Sequence, residues 1–190
     1  MTTTTQIPGY VAGTWTIDPV HSDVSFTVRH MVVSKVRGFF RTFEGTLVTG
    51  ETPAGSSVTA TVKLDSIDTN QEQRNAHIRS ADFFDVENHP TMTYQSTGVR
   101  EHGGDWILDG ELTLKGVTKQ VPLRLEVNGF GPDAYGGYRA GFSAKAEINR
   151  RDFNVNFNAT METGGLVVGD KVEILLEIEA VLDKSDGAEG

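Results

Sequence analysis

The sequence predicts an all-β protein: an eight-stranded antiparallel barrel with one short helical insert at about residues 70–84. Three observations carry this. Apolar and polar residues alternate with a period of two through eight or nine successive runs, the pattern of half-buried strands. Short turn-rich connections join the runs, which makes an antiparallel meander and hence a barrel or a sandwich. Glycine is 21 of 190 residues, and several glycines lie inside or at the ends of the runs (Gly38, Gly45, Gly110, Gly116, Gly129, Gly141). Glycine there marks the bulges and bends that let a sheet curl and close. Strands of about ten residues exceed the usual sandwich length and favour the barrel. One apolar face alternating with a charged one is the reverse of an outer-membrane barrel, whose apolar side meets lipid.

Residues 1–13 read as a flexible lead, 14–182 as the barrel domain and 183–190 as a flexible tail. Thr14–Asp18 starts a strand that Pro19 breaks. Val24, Phe26, Val28 and His30 then share one face, with Asp23, Ser25, Thr27 and Arg29 on the other. Val36–Thr49 continues as a second run, and its odd step from Phe40 to Phe43 predicts a bulge near Arg41-Thr42. Gly50–Ser57 is a hairpin loop by composition, and Val58, Ala60, Val62 and Leu64 resume the alternation.

After Ile67 the period changes. Thr69-Asn70-Gln71-Glu72 matches a capping box, and a helix of two to three turns is expected from Asn70 to about Arg79. Ser80 can cap a further turn through Phe83. Strands return after Pro90 with Met92 and Tyr94, pass the hairpin Glu101–Asp105, and continue through Trp106, Leu108, Leu112 and Leu114 to a turn at Lys115–Thr118. Val121 to Val127, Phe142 to Ile148 and Val172 to Ala180 alternate in the same way. Asn149–Asp170 is the longest irregular connection, and a loop of that length is usually functional or covers something.

Composition excludes several classes. The 17 Lys+Arg against 26 Asp+Glu give a net charge of −9, which argues against a nucleic-acid footprint and against attraction to an anionic membrane. Cysteine is absent, which removes disulfides, thiolate metal sites and cysteine nucleophiles. The first residues lack the basic and apolar regions of a secretory signal, and no 18-residue apolar run occurs, so the expectation is a cytoplasmic protein without a membrane span, unless the sequence is a mature form. There is no His-Glu-x-x-His, no Gly-x-Ser-x-Gly and no phosphate-cradling glycine loop. The Asn158-Ala159-Thr160 sequon is idle in a cytoplasmic setting.

An eight-stranded barrel is either filled by side chains or just able to hold one small ligand. Ten-residue strands would give a lumen about 30 Å long. Small inward residues (Ala60, Ala144, Ala146, Ala180, Gly110) leave volume there, which Phe26, Phe40, Phe43, Phe142 and Trp106 either fill or line. A lined lumen suits a long apolar chain with a few polar groups at the mouth.

Several motifs, in order, identify a family: Trp15–Asp18 with His21-Ser22; Val28–Met31 followed by Ser34–Gly38; Phe40 through Phe43 to Gly45; Asn75–Asp85; Leu112–Thr118; and Ile148–Phe153. Across about residues 14–182 the chain resembles the YceI-like family. The resemblance implies a lipocalin-like barrel that binds polyisoprenoids or similar amphiphiles. One departure stands out: the family usually has Gly where this chain has Asn154, a residue that tolerates positive φ better than most.

The residues expected to meet a ligand are Phe26, Val28, His30, Phe40, Phe43, Met92, Phe142 and Phe153 along the barrel, with His77, Arg79, Phe83 and Phe84 of the insert at its end. Asp82 and Asp85 are expected as partners of His77 and Arg79, because buried charges need pairing. His21 and His89 lie close to Pro19 and Pro90, where turn roles are expected. Three functions stay open: non-catalytic transport or sequestration of an isoprenoid lipid or quinone-like amphiphile, without other cofactor or metal; an enzyme using His30, His77 and Asp82 on a lipid-like substrate; or a filled barrel serving as an interaction module. Outward apolar positions such as Leu175 and Val181 leave a homodimer open.

Overall fold

The computed structural model describes residues 6–159 and 167–184. Parts of the lead, the tail, the long connection and the sequon's Thr160 lie outside the described residues. Twelve strand segments form one antiparallel sheet that closes on itself. They make eight staves, because four staves are each broken into two segments.

The first stave is β1 (Gly13–Ile17) and β2 (Asp23–His30), separated at Pro19, which has no N–H to give a ladder. Both pair with β12 (Val168–Leu182), β1 through Ile17↔Ala180 and β2 through Val24↔Leu176. β3 (Ser34–Phe40) and β4 (Phe43–Thr49) form the second, broken at the expected Arg41-Thr42, with β3 on β2 and β4 on β1. β5 (Ser57–Lys63) and β6 (Ile67–Asp68) repeat the device against β4 and β3. β7 (Thr91–His102) and β8 (Asp105–Leu114) follow unbroken. β9 (Val117–Gln120) and β10 (Leu123–Pro132) part at Val121-Pro122 and both pair with β8. β11 (Tyr138–Asn149) pairs with β10 and β12, and β12 against β1 closes the ring.

The tight hairpins have the turn chemistry they need. Gly103-Gly104 and Lys115-Gly116 stand at positive φ (59° and 87°; 52° and 76°), as two-residue hairpin loops require. Asn154 is likewise left-handed at φ 59°, so Asn meets the geometry that favours Gly at this position. Gly129 marks a register shift, as expected. Gly38 and Gly110 have a different role from bending. A methyl at Gly38 would overlap the Phe26 ring, and one at Gly110 the Tyr94 ring, so each glycine seats an aromatic.

The helix α1 (Glu72–Arg79) is shorter than expected and capped differently. Gln71, not Thr69, is the N-cap, and its side chain accepts from the Arg74 N–H at 2.9 Å. Asn70 at φ 66° swings Thr69 out of line with the helix. The Thr69 hydroxyl donates instead to Asn75 Oδ1 (2.5 Å), and the Glu72 carboxylate takes Arg79 at 2.6 Å. The turn through Phe83 forms as expected, with the Phe83 N–H donating to the Ser80 carbonyl. Residues 6–12 lie against the opposite barrel end, where Tyr10 donates to the Gly50 carbonyl at 2.7 Å and Tyr138 to that of Gly9 at 2.6 Å.

Two apolar clusters make the core. One surrounds the fully buried Trp15, whose indole N–H donates to Thr49 Oγ1 at 2.8 Å. The other runs from Phe40 and Leu64 to Leu114, Phe153 and Val155 at the helix end.

Candidate functional site

The barrel interior is not solid. A cavity of about 410 Å³ lies under α1, and one of about 200 Å³ lies toward the end holding the lead. Met92 and Ile174 line both, so the two chambers adjoin along the barrel axis. The larger falls within the usual range of ligand sites, about 300–1,000 Å³.

Walls of the smaller chamber are almost wholly aliphatic and aromatic. Phe43, Met92, Phe142 and Trp106 line it together with Ala60 and Ala144. The small side chains leave the space between the rings, as the interior alternation implied.

The larger chamber gathers Phe26, Val28, His30, Phe40, His77, Phe83, Phe84 and Met92. His30 follows the inward parity of Val24, Phe26 and Val28. Its lid is a cluster of rings: His77 lies edge-on to Phe83 (5.1 Å) and Phe157 (4.8 Å), and Phe83 meets Phe157 at 5.2 Å. Phe84 reaches Phe40 (6.1 Å), which in turn meets Phe26 (5.6 Å). Asp82 anchors the lid by a 2.8 Å contact to His77 Nε2, as expected.

Two of the expected residues line neither chamber. Arg79 points along its helix to Glu72, and Phe153 is 1% exposed in the core beneath the chamber wall. Asp85, expected as a possible partner, accepts from Asn88 at 2.9 Å. His21 contacts Asp18 at 2.8 Å, and the His89 N–H donates to Asp85, both in turns.

Sequence reasoning missed the polar end of this chamber, made of Gln73, Arg74 and Arg150 beside His30 and His77, with the outward-facing, exposed Arg29 at its edge. Arg74 is held by Thr69, donating from Nε to Oγ1 at 2.9 Å. Arg150 is 4% exposed and donates to the carbonyls of Gly169 (2.9 Å), Val155 (2.7 Å) and Phe157 (2.8 Å). Burial pushes its guanidinium pKa down, and Asp170 opposes that. An arginine just beyond a strand end reads in sequence as solvated surface, and nothing in the alternation marks it as buried. Phe153, Val155 and Phe157 alternate in the sequence, a pattern open to a short strand or a flap over the barrel; no strand forms there, and Phe157 packs on the lid rings.

No described residue lining the larger chamber is Asp, Glu, Ser, Thr or Tyr. Hence its polar groups can donate hydrogen bonds and hold an anion, but offer no hydroxyl or carboxylate nucleophile. His30 and His77 share the chamber, while Asp82 touches only His77. Away from the lumen, Asp18, His21 and Glu179 bring ligand atoms within 4.8 Å of one another. Arg139 already donates to Asp18 (2.8 Å) and Glu179 (2.9 Å), so a guanidinium takes the place a cation would need.

A closed antiparallel barrel with an apolar lumen and a lidded end is of the lipocalin-like class. Within that class, the YceI-like domain model matches residues 15–180. Protein YceI of Escherichia coli is 38% identical over 165 residues, covering 86% of this chain and 83% of that protein. A Photorhabdus laumondii protein of the same group matches equally, 38% over 86% and 83%. The chain belongs to the YceI-like family. Among solved structures, BcnA of Burkholderia cenocepacia superposes with a TM-score of 0.75 at 24% identity, over 86% of this chain and 98% of that one. A polyisoprenoid binding domain from Saccharophagus degradans gives 0.68 at 16% identity, over 91% and 100%.

Proposed function

We propose that the barrel binds one long-chain isoprenoid lipid or comparable amphiphile, a quinone-like molecule included, and carries or sequesters it without chemistry. The tail lies along the two chambers, and the head sits at the arginine- and histidine-lined end. The observation that carries this reading is the pair of adjoining chambers, whose walls are almost wholly apolar except at the helix end of the larger one, where no carboxylate lines the space. Burying a long apolar tail supplies affinity at about 25 cal/mol per Å² without directional contacts. Donors at a single end then set the orientation and favour a head that accepts hydrogen bonds or is anionic. The Saccharophagus degradans barrel, described as polyisoprenoid binding, supports the ligand class. A catalytic role for His30, His77 and Asp82 has less support, since Asp82 does not line the larger chamber and that chamber's lining offers no hydroxyl or carboxylate nucleophile.

Organic extraction of gently purified protein, followed by mass spectrometry, tests the reading. A co-purifying long-chain lipid, or saturable binding of added isoprenoids, is the expected result. Protein that yields no lipid and binds none would refute it.

A further inference from the structure

The turn between β2 and β3 presents three consecutive apolar side chains to solvent: Met31 at 40% exposure, Val32 at 65% and Val33 at 86%. We propose that this tip docks on an anionic phospholipid bilayer and sets the larger chamber against it.

Three independent features converge on the tip. The first is charge. Between Asp23 and Glu44 the chain has no acidic residue, whereas Arg29, Lys35, Arg37 and Arg41 all fall there. Arg29 stands directly opposite Lys35 and Thr27 opposite Arg37, so these cations share the outer face of the hairpin just behind the tip. Asp68 neutralises Arg41 at 3.2 Å, but Arg29, Lys35 and Arg37 form no ion pair with a described carboxylate. On β12, Glu177 stands opposite Asp23, away from the tip, Glu173 stands opposite Thr27 in the row of Arg37, and Asp170, in the bulge between Val168 and Val172, is taken by Arg151 at 2.8 Å. The net charge of −9 argues against an anionic membrane for the molecule as a whole. At physiological salt, charges beyond about 8 Å are largely screened, so a contact surface feels its local cations rather than the distant excess of acids.

The second feature is backbone. Met31 and Val32 both hold positive φ, 50° and 66°. A β-branched residue in this region is a true outlier, and Asn or Gly would be the unstrained choice. The chain keeps a strained and exposed valine where a polar turn residue would fit better, which is the pattern of a functional site. The Met31 N–H to the Val167 carbonyl (2.8 Å) and Arg29 Nη1 to the Val32 carbonyl (3.4 Å) hold the tip in place.

The third is position. Arg29, His30 and Val36, which flank the tip, line the larger chamber, and so does Val167. Apolar residues backed by cations, set beside the opening of a lipid-sized cavity, fit an interfacial contact in which valines enter the headgroup layer and arginine and lysine meet phosphate.

Sedimentation of the full chain with vesicles reads this directly. Vesicles of equal parts phosphatidylcholine and phosphatidylglycerol should pellet the protein, and phosphatidylcholine alone should do so far less. Val33→Asp and Lys35→Glu should each weaken that binding by roughly tenfold or more, with unchanged melting temperature because both positions are exposed. Val20→Asp, at a valine 82% exposed on the barrel side, should leave it unchanged. Val32→Asn separates docking from architecture: it should raise the melting temperature and lower vesicle binding together. Failure of the wild type to sediment with anionic vesicles overturns the proposal, as does wild-type binding by the Val33 and Lys35 variants. A Val33 variant that changes only self-association overturns it too. Binding of isoprenoid in detergent solution reads the lumen alone, so failure here is distinguishable from failure of the ligand reading.

Discussion

Asp18 illustrates how much of the barrel's closure rests on single side chains. It accepts from Arg139 at 2.8 Å and from the Val20 N–H at 2.9 Å, and it lies 2.8 Å from His21, at the break between β1 and β2. The Arg139 guanidinium, helped by His21, holds its carboxyl down to about 2, against an ordinary 3.8. The folded chain therefore releases this proton at lower pH than the unfolded chain does. Its stabilisation is fully present above about pH 4 and is lost as pH falls toward 2. Asp18→Asn should cost about 1–3 kcal/mol at neutral pH, with the gap to wild type closing in that acid window, measured by urea unfolding across pH. A gap that stays constant down to pH 2 would show that the charge is irrelevant. None of this was legible in the sequence, where Asp18 ends a strand run that Pro19 breaks. Arg139 joins it from a position 121 residues away in the chain.

At the level of elements, the lid and the long connection act together. Phe157 leaves the connection to stack on His77 and Phe83 of the insert, and Arg150 ties that segment to β12 through four backbone carbonyls. A lysine can reach one of these oxygens but cannot reproduce the planar fork. Arg150→Lys should therefore destabilise the protein by about 2–3 kcal/mol and speed amide exchange at Val155 and Asn156, read by hydrogen exchange. Wild-type exchange in that segment would remove Arg150 from this role. The existence of the insert, its helix and its aromatic turn followed from the change of period after Ile67. Its cap did not, because a capping box presumes a straight approach, and the left-handed Asn70 supplies a bent one. Likewise, Arg79 pairs within its own helix because Glu72, two turns earlier, lies within its reach.

Across the whole molecule, the decisive property is empty space. Ala144 lines the smaller chamber, and a phenylalanine there would project into it. Ala144→Phe should abolish binding of long-chain isoprenoids while lowering stability little, as measured by ligand titration and thermal melts. In a filled barrel the same change would overpack the core at a cost of about 1–3 kcal/mol. Strand parity was enough to assign nearly every inward residue, since side chains on a strand can only alternate. The stave breaks at Pro19 and Arg41-Thr42 were legible for the same reason, each interrupting a period of two. Parity and turn chemistry also led to a closed, all-β barrel, because both are properties of neighbours along the chain, and the separate motifs led to the YceI-like family. Volume is not such a property. Whether Phe26 fills the lumen or stands against Gly38 depends on the strand beside it. Whether Arg150 is solvated or buried depends on a segment that returns 19 residues later. The chambers, their carboxylate-free end and the cationic apolar tip beside it arise only when distant staves are brought into register and the ring closes.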